Sequence, residues 1–113
     1  MNTNDNAVFN GTLIDGVARN AEHPAFEIPS DAEKATVGLG DLVKVGIELA
    51  VPDTKTKLGG ERFWVSIVQV NGNGFIIGEF VDPLLVVDAE PGDAIPFRSE
   101  HILDIDQAVE VQA

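Results

Sequence analysis

The most regular stretch of the chain is Leu42-Val43-Lys44-Val45-Gly46-Ile47-Glu48-Leu49-Ala50-Val51, in which every odd position is apolar. Lys44, Gly46, Glu48 and Ala50 take the alternate positions. Period-two alternation of this length predicts an extended strand with Val43, Val45, Ile47, Leu49 and Val51 on one face. Residues 63–70, rich in aromatic and β-branched side chains, read as a second strand. Asn71-Gly72-Asn73-Gly74 has hairpin-turn chemistry and leads into a third strand at 75–80. Asp82-Pro83 marks a corner before a fourth strand at 84–87. Glu90-Pro91-Gly92-Asp93 is a further turn, and 94–97 a short fifth strand whose Pro96 suits a sheet edge.

Upstream of residue 40 the pattern is weaker. Residues 7–14 read as a short strand pair, or as one strand interrupted by an Asn10-Gly11 turn. Residues 15–29 show no period, and Pro24 and Pro29 bracket an extended Ala25-Phe26-Glu27-Ile28. Ser30-Asp31-Ala32-Glu33 has the form of a capping box, predicting a helix over 31–36 that stops at Gly38 or Gly40. Gly40-Asp41 and Gly92-Asp93 each stand directly before a strand, an echo that turn chemistry explains better than duplication. Together these elements predict a mainly β domain, α+β at most: a small SH3-like or related five-stranded barrel with one short helix. It is expected to span residues 8–106, between a flexible tail over 1–7 and a frayed tail over 107–113.

Composition narrows the function classes. With 113 residues, 44% of them hydrophobic, the chain can build one packed core. No apolar run approaches the roughly 20 residues of a membrane helix, and the N-terminus lacks the pattern of a signal peptide. There is no cysteine, which removes disulfides, thiolate zinc sites and cysteine nucleophiles and fits a cytoplasmic setting. The net charge is -12, and residues 79–113 hold nine carboxylates against Arg98 alone. So acidic a chain lacks the Lys and Arg that draw proteins onto phosphates, so direct nucleic-acid binding is not expected.

The chemistry-bearing residues are few. His23 and His101 are far apart with no metal-ligand spacing between them. His101 lies among Glu100, Asp104 and Asp106, where acidic neighbours are expected to raise its pKa. Asp104 and Asp106 would share one face of a strand. Trp64 alternates with Phe63, so one of the two rings faces the core and the other faces away. Arg62 closes a loop that also carries Lys55 and Lys57. No catalytic residue, metal site or cofactor motif emerges. The candidate binding residues are Trp64, Arg62, Glu100, His101, Asp104 and Asp106.

The order of short motifs is also informative. Pro24-Ala25-Phe26-Glu27-Ile28-Pro29, Gly40-Asp41-Leu42-Val43-Lys44-Val45 and Gly60-Glu61-Arg62-Phe63-Trp64-Val65 are followed by Gly78-Glu79-Phe80-Val81-Asp82-Pro83, Gly92-Asp93-Ala94-Ile95-Pro96-Phe97 and Glu100-His101-Ile102-Leu103-Asp104-Ile105. Over residues 23–105 this series resembles the YegJ-like group of small bacterial and phage proteins of unknown function. The chain departs from that pattern at Phe63 and at Val81-Asp82-Pro83. The resemblance implies an accessory or immunity-type role and no particular chemistry.

The expectation is therefore a small acidic binding or accessory module with a protein partner, a basic one being an option. The alternatives are an acidic inhibitor imitating nucleic acid and a small hydrolase-like enzyme using His101 and nearby carboxylates.

Overall fold

The computed structural model describes residues 7–106. The tails expected over 1–7 and 107–113 lie outside the described residues, except for Ala7, which is already paired with Thr12. The chain runs β1 (Ala7–Val8), β2 (Gly11–Leu13), α1 (Gly16–Glu22), α2 (Asp31–Lys34), β3 (Leu42–Leu49), β4 (Gly60–Val70), β5 (Ile76–Phe80), β6 (Ala94–Phe97), a 3-10 turn at Ser99–His101 and β7 (Asp104–Ile105). All seven strands join one antiparallel, barrel-like sheet in the order β1-β2-β3-β4-β5-β6, with β7 also paired to β3. The mainly β barrel architecture is as expected, with more strands and one more α-helix than the sequence pattern suggested.

β3 is the spine of this sheet. Val43, Val45 and Ile47 are fully buried, as the alternation requires. The strand stops at Leu49, however, and Val51 is 74% exposed. One edge of β3 pairs with β4, from Leu42–Ser66 to Glu48–Gly60. The other edge is shared: β2 takes Ile47 to Leu49, and β7 takes Val43 and Lys44. Between and beyond them Ile14, Leu103 and Asp106 donate backbone N–H bonds to the carbonyls of Gly46, Lys44 and Leu42 at 2.9, 2.8 and 3.0 Å. β3 is thus hydrogen-bonded on both sides along its length. Phe63, Val65 and Ile67 of β4 face the same interior, which Ile95, Phe97 and Ile102 complete.

The Gly-Asp turns are equivalent in their bonding. Gly40 and Gly92 both have left-handed φ, +87° and +92°. The Asp41 carboxylate accepts the Gly38 N–H at 2.9 Å, and Asp93 does the same for Glu90 at 2.9 Å. Each turn then exchanges two backbone bonds with the neighbouring strand, at Ile67 and at Phe80 respectively. Pro96 sits on the last strand of the path, opposite Ile77. The Phe80 N–H bonds to Asp93 O, so by antiparallel alternation the bonded pairs are Gly78–Ile95 and Ile76–Phe97. Pro96 therefore turns its N–H-less nitrogen to the edge that no described strand pairs, where it gives an added strand nothing to accept from.

Three local expectations are corrected. Residues 84–87 are not a strand. The side chain of Glu61 follows the inward parity of Phe63, and its carboxylate accepts the N–H groups of Leu85, Val86 and Val87 at 2.8, 2.9 and 3.2 Å. Those donors are therefore not available to a neighbouring strand. The N-terminal turn uses Phe9 and Asn10 instead of Asn10-Gly11, with Phe9 at φ +48°. Asn10 reaches residues 86 and 88, donating to Val86 O at 2.9 Å and accepting from Asp88 N–H at 3.0 Å. Finally, Gly16–Glu22 is helical, capped by Asp15, whose side chain accepts the Ala18 N–H at 2.9 Å. The capping box forms fully at α2, although that helix ends at Lys34.

Candidate functional site

The outward face of the sheet divides into a covered half and an open half. At the level of Gly46 there is no side chain on this face, and Ile14 and Leu103 settle onto the bare backbone; a Cβ there would lie 2.7 Å from Ile14 Cδ1. Beside them Phe26 is held between two guanidinium groups, Arg19 at 5.6 Å and Arg62 at 5.1 Å from the ring centroid. Arg19 also makes the sole ion pair among the described residues, with Glu48 at 3.0 Å. Arg62 is thus drawn onto this aromatic contact, while Lys55 and Lys57 stay in an exposed loop ordered by the Asp53 carboxylate.

The open half begins one row along. The pairing register aligns Asp104 of β7, Lys44 of β3 and Trp64 of β4, and the Val81 N–H reaches Trp64 O, extending the row to Val81. Trp64 is half-buried, and the Lys44 ammonium lies 5.0 Å from the centre of its ring. The next row is Asp106, Leu42, Ser66, Glu79 and Ala94. Val81 and Val68 are 45% and 43% exposed. A large ring, several apolar side chains and a few charges therefore share a solvent-facing surface, the composition from which interface anchors are drawn.

At the β7 end this surface runs into a hollow of about 290 Å³. It is lined by Ile28, Pro29, Leu103 and Ile105 and by the carboxylates Glu27, Glu33 and Asp104. One oxygen of Glu33 is committed to the Ser30 N–H and one of Asp104 to the Ile105 N–H. A second hollow of about 490 Å³ shares the 27–29 segment and extends to Val17, Asn20 and Asp31. Among the described residues, no three His, Asp or Glu side chains are grouped to hold a metal ion.

Of the residues singled out from sequence, Trp64, Asp104 and Asp106 come together on the open face, with Arg62 on the adjoining covered part. Glu100 and His101 lie elsewhere, in the 3-10 turn that packs on α1. His101 is 2% exposed. Its Nδ1 accepts the Arg98 N–H at 2.9 Å, while its backbone N–H donates to Arg98 O at 3.0 Å. Its pKa is lowered rather than raised: burial disfavours the imidazolium more than Glu100 and Asp15 favour it. Asp104 enters the smaller hollow without His101, so the two do not share a pocket there. Sequence reasoning missed Glu27, Ile28 and Glu33. The signal was an apolar Ile28 between an acid and a proline in a segment already seen as extended.

No helix among the described residues is long and apolar enough to cross a membrane. No protein-family model, curated protein or solved structure matches the chain.

Proposed function

We propose that the chain is a protein-binding module, acting by association rather than catalysis, in a cytoplasmic setting. On this reading its contact surface is the open sheet face around Trp64 and Asp104, and the order of its motifs makes it a distant member of the YegJ-like group. The observation that carries the proposal is the Asp104–Lys44–Trp64–Val81 row, an aromatic anchor with exposed valines beside it and charges at its end. The placement of His101 inside a packed turn supports association over hydrolysis.

The test is capture from a lysate of the source cell on immobilised protein, comparing the natural chain with Val81→Glu. A charge placed beside Trp64 should abolish capture of the partner. Lys55→Ala with Lys57→Ala, in the loop away from the row, should leave it intact. Equal capture by all three proteins would remove this face from consideration. Displacement of the captured protein by duplex DNA would instead favour an acidic imitation of nucleic acid.

A further inference from the structure

We infer that the hollow beside β7 receives a cationic side chain, arginine or lysine, from a basic segment of the partner. The inference rests on the protein-binding reading above and adds the partner's chemistry. The hollow has a mixed lining, carboxylates beside aliphatic side chains. Ile28 and Ile105 offer surface that the methylenes of a long basic side chain can cover, and the carboxylates of Glu27, Glu33 and Asp104 lie along the same hollow, within which a head group would pair with one of them. At about 290 Å³ it sits at the lower limit of pockets that hold small-molecule ligands, a size that suits one side chain.

Among the described residues, no ion pair neutralises these carboxylates. The one ion pair among the described residues is Arg19–Glu48, and Arg19 and Arg62 are both turned onto Phe26. Lys44, paired directly with Asp104 in the strand register, directs its ammonium over Trp64 instead. An incoming cation would therefore find carboxylates that have no ion-pair partner among the described residues, next to aliphatic side chains. The larger hollow on the same 27–29 segment, with Asp31 on its border, offers a second basic residue a place. Asp104 belongs both to the hollow and to the Trp64 row, so one partner segment can engage both.

The experiment uses a short fluorescein-labelled peptide with two arginines separated by one glycine, and the same peptide with citrulline in place of arginine. Binding is measured by anisotropy, and the site is mapped by amide shifts on labelled protein. Two double variants remove the same charge from different places: Glu27→Gln with Asp104→Asn at the hollow, and Asp88→Asn with Glu90→Gln on the 81–93 loop. The arginine peptide should shift the Ile28, Glu33, Leu103 and Ile105 amides. The hollow variant should weaken binding about tenfold and the loop variant less than about twofold, and citrulline should abolish binding. Equal weakening by both variants would reduce the effect to attraction by net charge and overturn the inference, as would shifts centred elsewhere or no binding. If the hollow fails in this way while Val81→Glu still abolishes capture of the natural partner, the module stands without its basic ligand. If neither variant set alters that capture, the binding reading itself falls.

Discussion

Replacing Glu61 tests whether an inward-facing carboxylate organises the far end of the barrel. Its two oxygens accept three consecutive backbone N–H groups, from Leu85, Val86 and Val87, at 2.8, 2.9 and 3.2 Å. Val87 carries the segment into the core, at 5% exposure. Hydrogen bonds to a charged acceptor contribute about 1.5–3 kcal/mol each when well buried. Glu61 is half-buried and water can reach part of the segment, so the three bonds together are worth about 3 kcal/mol. Glu61→Ala should lose most of this. Glu61→Gln keeps the shape and one acceptor, but sets an amide NH2 against a backbone donor, and should cost about 2 kcal/mol. In a domain of this size that lowers the thermal midpoint by roughly 8–16 °C. Thermal and urea unfolding measure the cost. Hydrogen exchange locates it: the amides of 85–87 should lose protection while those of β3 and β4 keep theirs. A Gln variant within about 0.5 kcal/mol of the natural chain would refute the reasoning, as would loss of protection spread evenly over the sheet.

Other perturbations address other features. Gly40→Ala and Gly92→Ala meet no atom within 4 Å of the new Cβ, so each should cost only the left-handed backbone penalty, about 1–2 kcal/mol; urea unfolding should give equal values, and a difference beyond about 0.5 kcal/mol would break the equivalence of the turns. Burial holds the His101 pKa below its ordinary 6.5, so as pH falls below that value the unfolded chain takes up a proton before the folded one. The stability associated with neutral His101 is complete above 6.5 and lost as pH drops towards the lowered folded value. The thermal midpoint should therefore decline from about pH 7.5 to about pH 5.5, and the same slope in His101→Gln would rule His101 out as the cause. With a net charge of -12 and one ion pair among the described residues, sodium chloride added from roughly 20 to 200 mM should raise the thermal midpoint by screening repulsion. A falling midpoint would mean that attractive pairs dominate.

What could be read from sequence follows from how local each cause is. β3 was legible because its alternation is a property of adjacent positions, and the Ser30–Glu33 box because both partners lie within one turn. Gly40 and Gly92 were legible as turns because left-handed φ favours glycine. Residues 84–87 were misread because their N–H groups are taken by Glu61, about 25 residues upstream, which no local pattern records. α1 escaped because its first residue is Gly16 and its seven residues are too few to show a helical period. At the candidate site, the shared face of Asp104 and Asp106 was visible as a two-residue spacing. The burial of His101 was not, because it depends on how the 3-10 turn packs against α1. The hollow needed three separated segments, around residues 28, 33 and 104, to be brought together.

Asn10 binds residues 76 and 78 positions further along the chain. During vectorial synthesis the β1–β2 hairpin is made before β3, yet the Asn10 side chain lacks its partners until residues 86 and 88 have been produced. Closing so long a loop carries an entropic cost that grows with its logarithm, and the pairing of β2 with β3 is short, three residues with one flanking backbone bond on either side. The hairpin should therefore dock late in folding and detach early in partial unfolding, lifting the Phe9 ring from its edge contact with Phe80. Among the described residues, the part of the chain translated first thus waits for the rest before it takes its place.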